Sequence, residues 1–402
     1  MVSGMSSQYS EQADGVVRVS TVAADNLGES TSAQRETMAA MNRMYKTLPA
    51  AERKEMKTLY SLAPDDAKSA LTDIGASRAG EMMNLVQTNT LAAHVISDRL
   101  NTAFSLQPVN VSVGGNKLED DGKDYGVEVP VNLPVEEENG AWVKFTKNWG
   151  DLQGGANYHG NTISGGYDKA FGKHTRGGLF VAYNAMSLGA DNSSANIYDT
   201  RFGLYGGYRK GARDAYWYAD YGWQRNKMRR GIAALGLSPT ADYRSYIVEV
   251  GGEYKYDLHA EDGKVWHVSP YANMQLSYMH QNDCQEQGAG VYNQQFSAQH
   301  NTYFALGMGV ELKRYLGHGS YALRLGVKHA FGGADPELQF NYEGDTGNRY
   351  TLRNNQDKTH AVVRLSGETE FAKGWQLAGD VQWQKGAHDK DLSASMMLRR
   401  VW

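Results

Sequence analysis

Cysteine is almost absent from the 402-residue chain, since Cys284 stands alone and an internal disulfide is excluded. Long apolar runs are missing too. Mean hydropathy is −0.58, and no uncharged stretch approaches the ~18 residues of a membrane helix, so a helical span is excluded. Excess basic charge is lacking: 41 basic residues face 45 acidic ones, for a net charge of −4, which speaks against a nucleic-acid partner. Met1–Ser10 shows no basic segment followed by an apolar one, so no secretory signal is read there. Either the chain stays inside the cell, or it is a fragment, the tail of a longer exported one.

What is present is unevenly spread. Five of 45 Gly precede Phe104, all eight Trp lie from Trp142 onward with 21 of 25 Tyr, and eight of 15 Met come before residue 84. Such a split marks two bodies, with a boundary between Phe104 and Trp142.

Residues 1–31 are small and polar and read as a disordered remnant or passenger end. Residues 32–104 have helical spacing. Met38, Met41 and Tyr45 begin a stripe that Met56, Leu59 and Leu62 continue. Pro64-Asp65-Asp66 opens a short helix carrying Ala67, Ala70, Leu71 and Ile74. A longer helix is expected over 79–104, with Met82, Val86, Leu91, Val95, Ile96 and Leu100 set among polar residues. Taken alone, these stripes suit a small bundle packing on itself. The last helix, polar around much of its circumference, also suits a water-containing channel. Residues 105–140 carry eight acids, from Glu119 to Glu138, against Lys117 and Lys123, and read as an acidic, solvated connector.

From Ala141 the period becomes two. Phe304, Leu306, Met308, Val310 and Leu312 alternate with Tyr303, Ala305, Gly307, Gly309 and Glu311; Trp375, Leu377, Val381 and Trp383 alternate with Gln376, Asp380 and Gln382. Twelve such strands are expected: 141–149, 160–171, 174–189, 195–210, 213–229, 240–258, 264–281, 298–315, 319–332, 357–371, 374–386 and 390–402. Connections after the even strands are short, and those at 282–297 and 333–356 are long. That rhythm predicts a mainly β fold, a 12-stranded antiparallel transmembrane β-barrel; its bore would suit the mixed-polarity helix as a lumenal α-helix, with the short helices preceding it. Outward candidates are Trp217, Tyr221, Trp223, Tyr246, Tyr254, Trp375 and Trp383. Lumenal candidates are Arg201, Glu249, Glu253, Lys328, Arg364 and Glu368, charges expected to stand hydrated without needing ion pairs.

The last strand alternates through Leu392, Ala394, Met396 and Leu398 to a terminal aromatic, Trp402, and resembles the signature by which outer-membrane barrels are recognised for assembly. Arg400 departs from it, since an apolar residue is commoner there. With Leu59-Tyr60-Ser61-Leu62, Asp65 to Leu71, Ile74-Gly75-Ala76-Ser77, Gly140-Ala141-Trp142-Val143-Lys144 and Gly177 to Tyr183, the chain resembles the C-terminal translocator of a type Va autotransporter over residues 33–402.

The resemblance implies a barrel (141–402) in the bacterial outer membrane with a helix threaded through its lumen, exporting or anchoring a passenger in cis. Residues 79–104 as a helix would span ~39 Å, enough to cross the bilayer core of ~30 Å. Implied partners are outer-membrane lipid and lipopolysaccharide, the β-barrel assembly machinery and periplasmic chaperones, around a monomer. The alternatives are a porin-like channel or surface adhesin without passenger, and a soluble β-rich domain.

No catalytic chemistry, cofactor or metal is expected. His280 and Cys284 are four apart where a strand becomes a loop, Gly75-Ala76-Ser77-Arg78-Ala79 lacks the strand that a nucleophile elbow needs, and nothing converges Asp191, His300 or His388. Asn84 and Asn89 are separated, and Asn354-Asn355 falls in an expected outer loop, so self-cleavage within the helix is not expected.

Overall fold

The computed structural model describes residues 7–11, 17–22, 29–88, 96–97, 99–100, 106–113, 127–134, 139–190, 192–260, 266–316, 319–354 and 356–402, with the strands before residue 139 described as backbone. Twelve long strands form a closed antiparallel barrel. They are β1 (Asn139–Asp151), β2 (Asn157–Ala170), β3 (Thr175–Ala190), β4 (Ser193–Lys210), β5 (Arg213–Arg230) and β6 (Thr240–Tyr256). The circuit continues through β7 (Trp266–Gln281), β8 (Gln299–Leu316), β9 (Gly319–Gly332), β10 (Thr359–Ala372), β11 (Trp375–Lys385) and β12 (Lys390–Val401). Each strand expected from the alternation is present, with ends shifted by a few residues.

Closure joins the last strand to the first by hydrogen bonds. β12 pairs with β1 from Lys390 opposite Asp151 to Val401 opposite Gly140. Beyond the ladder, the Asn139 and Trp402 amides donate to each other's carbonyls at 3.1 and 3.2 Å. A sheet in lipid has no water for its edges, so this pairing is what permits it to span.

Both barrel termini lie at the end with the short turns, which orients the molecule: that end is periplasmic, and the long loops are extracellular. Left-handed glycines make the tight turns, with φ of +78° at Gly172, +56° at Gly211 and +71° at Gly374. The outer wall is apolar, with Leu179, Phe202, Val250, Met308, Leu325, Leu365, Val381 and Met396 all exposed. Aromatic rings border it: Trp149, Trp223, Tyr278 and Trp383 above, Trp217, Tyr254, Trp266 and Trp375 below. Lys147 faces outward beside this belt, with its ammonium 5.4 Å from the Trp149 ring, a geometry that lets the charge reach the interface.

Four helices precede the barrel: α1 (Ser32–Thr47), α2 (Ala50–Tyr60), α3 (Pro64–Gly75) and α4 (Ala79–Thr88). Thr31 and Gln34 form a reciprocal capping box at the start of α1, and Pro64 occupies the first turn of α3. A self-contained bundle is not what forms. α1 to α3 pack onto the extracellular loops, in one buried cluster joining Met38, Met41, Met44, Leu71 and Ile74 to Ile232, Tyr292, Phe296, Phe340 and Tyr342. Three short helices have too little mutual area to bury these methionines, and the loops supply the missing surface. The loops are themselves ordered as a four-stranded sheet of Cys284–Gln285, Gln294–Phe296, Glu337–Tyr342 and Asp345–Arg353.

The end of α3 is held by side chains. Arg230 donates to the Asp73 and Ile74 carbonyls at 3.0 and 3.1 Å, and Gln294 to those of Ile74 and Ala76 at 2.9 and 3.1 Å. These are the carbonyls a helix C-terminus leaves unsatisfied, and a cation there also suits the helix dipole. Arg230 is anchored in turn by both oxygens of Glu286.

In the segments read as a remnant and a connector, Ser7–Glu11 pairs with Val17–Val22, and Leu106–Val113 with Val127–Pro134. The second ladder has a source in the sequence that the acidic composition hid: Val109, Val111 and Val113 alternate, as do Val127, Val129 and Val131.

Candidate functional site

The barrel bore is occupied. Gly75 to Ser77 forms the break between α3 and α4 at the extracellular rim, where Arg78 donates to Ser193 Oγ at 2.7 Å and pairs with Glu81 at 2.6 Å. Lower down, Asn84 Nδ2 donates to the Ala334 carbonyl at 2.8 Å. Gln87 is clasped by two wall residues through three hydrogen bonds: it donates to the Asn301 carbonyl at 3.0 Å, accepts from Asn301 Nδ2 at 2.7 Å, and its own carbonyl accepts from Gln275 at 2.9 Å. Arg201 donates to the Val86 carbonyl at 3.0 Å. Of the lumenal helix expected over 79–104, residues 89–95, 98 and 101–104 lie outside the described residues; Ile96, Ser97, Arg99 and Leu100 are helical and buried.

Near the periplasmic end, Arg99 meets Asp168 of β2 through two hydrogen bonds of 2.6 Å, and both side chains are fully buried. Asp168 also accepts from Tyr205 at 2.6 Å and from Arg176. Gly140 makes room for this: a Cβ there would collide with the Arg99 guanidinium. The described parts of this segment are thus fastened to the wall by hydrogen bonds without an ion pair near the top and by a bidentate ion pair near the bottom.

The inner wall carries its own charge network. Arg201 contacts Asp199 at 2.8 Å, Asp220 at 3.4 Å and Glu249 at 3.3 Å, while Tyr218 donates to Glu249 at 2.9 Å. Arg324 bridges Glu253 and Glu311, and Lys255 joins Glu311 at 2.9 Å. Asp380 holds Arg364 at 3.0 Å and Lys144 at 3.5 Å; Glu368 holds Arg399 at 3.2 Å and Lys313 at 3.7 Å. The expectation that lumenal charges need no ion pairs is therefore wrong. Helix and wall leave these groups little water, and an unpaired buried charge is far costlier than a paired one.

The six lumenal candidates all point into the bore. Arg201 and Glu249 share one cluster, Glu253 and Glu368 sit in two others, and Arg364 reaches Ser97 of the helix at 3.4 Å as well as Asp380. Lys328 donates to Gln275 at 2.9 Å and lies over the Tyr303 ring. On β12, Leu392, Ala394, Met396 and Leu398 face outward and Trp402 is exposed, opposite inward Ser393, Met397 and Arg399. Arg400, the departure from the signature, lies at the periplasmic rim over the Trp375 ring and donates to the Lys373 carbonyl at 2.6 Å. A cation at the water boundary leaves the apolar belt intact.

Arg99, Asp168, Gln87 and Arg324 escaped the sequence reading. Asp168 shows one signal, an acid on the inward phase of β2; the pairing of two residues 69 positions apart shows none. The dismissed histidines stay apart. His280 stacks on Tyr246 outside the barrel while Cys284 is buried in the loop sheet, and His300 stacks on Tyr278. His388 meets Asp357 at 3.0 Å in the outer loops; Asp191, Asn89 and Asn355 lie outside the described residues. Ser77 Oγ caps the Ala79 amide at 3.3 Å at a helix break.

Comparisons with known proteins agree with this geometry. A family model described as the autotransporter β-domain matches residues 141–382. Two curated relatives described as "Extracellular serine protease", both from Serratia marcescens, are 26% identical over 221 residues, which is 52% of this chain and 21% of each relative. The chain thus spans about a fifth of their length. Among solved structures, the translocator domain of autotransporter NalP from Neisseria meningitidis matches with a TM-score of 0.58 at 13% identity, covering 80% of this chain and 99% of that one. The β domain of the Bordetella autotransporter BrkA matches with a TM-score of 0.50 at 15% identity, covering 66% and 100%.

Proposed function

The chain belongs to the autotransporter β-domain family, a bacterial outer-membrane β-barrel serving export of a passenger in cis, and from that premise we propose that its bore is the route the passenger takes and that it works without catalysis. One observation carries the reading, the direction of the chain. α1 to α3 sit outside on the loops, α4 enters from the extracellular rim, and Arg99 reaches Asp168 near the end where β1 begins. Anything upstream of α1 is then delivered to the exterior by a segment that stays behind as a plug.

Barrel insertion is assigned to periplasmic chaperones and the β-barrel assembly machinery, with Leu392 to Trp402 as the recognised strand. Lipopolysaccharide is the surrounding outer-leaflet lipid, and a monomer suffices because the barrel closes on itself. The porin-like channel, or an adhesin without passenger, fits less well with a bore so fully bonded to a helix.

Labelling tests the direction. A Thr31→Cys variant on intact cells is expected to react with a membrane-impermeant maleimide, against little background from buried Cys284. Reaction only after the outer membrane is permeabilised would reverse the proposed path. Replacing His388, and His360, which meets Asp389 at 2.7 Å in the same loops, by Ala is expected to leave surface labelling unchanged; its loss from variants that keep heat-modifiable migration would contradict the non-catalytic part.

A further inference from the structure

Above the outer aromatic ring, charge is distributed unevenly. On β5 the outward series runs Trp217, Tyr221, Trp223 and then Arg225, Lys227 and Arg229; on β6, Arg244 follows the outward Tyr246. Arg225 and Arg244 are direct register partners. Like charges placed opposite each other on neighbouring strands destabilise a sheet, so this pairing needs an anion. Asp242 supplies part of it by pairing with Arg225 at 2.6 Å, both half exposed. Lys227, Arg229 and Arg244 make no ion pair among the described residues, and the remaining exposed carboxylate nearby is Asp283, at the start of the next loop. Elsewhere on the rim the imbalance is smaller: Lys385 stands opposite Lys390 across β11 and β12, and Lys390 pairs with Asp151 at 2.7 Å across β12 and β1.

Height fits a headgroup. From Trp223 to Arg229 is six residues, which at a tilt near 45° rises about 14 Å along the membrane normal. Below lies a continuous stacked row, Phe202 on Trp223 at 5.3 Å and Tyr246 on His280 at 4.9 Å, that marks the hydrocarbon boundary.

We infer that the outward face of β5 and β6 above Trp223 and Tyr246 binds the phosphate groups of lipopolysaccharide in the outer leaflet. The inference rests on the outer-membrane reading. Arginine forks and a lysine suit phosphate oxygens, and the aromatic row below gives the acyl chains a surface.

The test uses the full chain refolded in phosphatidylcholine vesicles doped with labelled lipid A, compared with the triple variant Lys227→Ser, Arg229→Ser, Arg244→Ser. Heat-modifiable migration is recorded for both. The site predicts that lipid A co-purifies with the parent and that retention falls by roughly fivefold per removed cation in a variant that still migrates as a barrel. Equal retention by parent and variant overturns the site. So does equal retention of dephosphorylated lipid A, or phosphatidylglycerol held as firmly as lipid A. A parent without heat-modifiable migration would instead sink the barrel reading on which the site depends.

Discussion

On β6, Val248 and Val250 face hydrocarbon, while Glu249 between them is fully buried and bonded to Arg201 and Tyr218. On β10, Leu365 is exposed and Arg364 beside it reaches Asp380 and Ser97. One residue of displacement separates a wall that must carry no charge from one that is built of it. The difference follows from what each face meets. Lipid offers no hydrogen bond, so the outer face excludes polar groups and leaves every backbone bond to the ladders. The bore holds a helix with mixed side chains, so the inner face answers with carbonyl acceptors, amides and ion pairs.

Removing a buried partner should break the inner face most severely. Arg201→Met leaves Asp199, Asp220 and Glu249 facing one another, and a loss of roughly 3–5 kcal/mol of stability is expected, read by denaturant unfolding of the reconstituted barrel. Arg99→Met strands less charge, since Arg176 and Tyr205 still serve Asp168, so its loss should be the smaller of the two. Charging the outer face comes next. Leu365→Arg at mid-wall should cost about 2–4 kcal/mol, whereas Arg at Trp375, beside the existing Arg400, should cost about 0–1 kcal/mol. Equal costs at both heights would show that the belt has been misplaced.

Smaller effects sharpen the contrast between barrel and loops. Burial pushes the Cys284 thiol up to about 12, with the carboxylates of Glu286, Asp283 and Asp242 adding to the rise. The folded protein should therefore resist alkylation at neutral pH and react on unfolding. In the outer loops, burial alone would raise the Asp357 carboxyl, but the amides of His388 and Asp389 and the His388 ring hold it well below the ordinary range. A depressed carboxylate contributes fully above its unfolded pKa and loses its contribution as pH falls through the folded value. The anchor of loop 386–389 should thus persist from pH 7 to about 4 and loosen only in stronger acid, read by exchange of the Asp389 amide.

The strands were legible because period two is a property of neighbouring residues, and Leu306, Met308 and Val310 announce a lipid-facing row without help from the rest of the chain. The extracellular sheet was harder. Leu338, Phe340 and Tyr342 alternate as clearly as any barrel strand, but within a six-residue strand inside a long loop. The place of α1 to α3 was not legible, because their methionine stripes fit a bundle as well as a loop surface. Arg99 and Asp168 show where local pattern ends: each looks solvated in its own segment, and only closure of the barrel brings them together.

Single-channel conductance tests the central claim most directly. With the chain bonded to the wall at Arg78, Asn84, Gln87 and Arg99, the full chain in a planar bilayer should conduct little, and deletion of residues 79–104 should raise conductance severalfold, to that of an open 12-stranded pore. Equal conductance before and after the deletion would mean that the bore is not plugged, and would contradict the account.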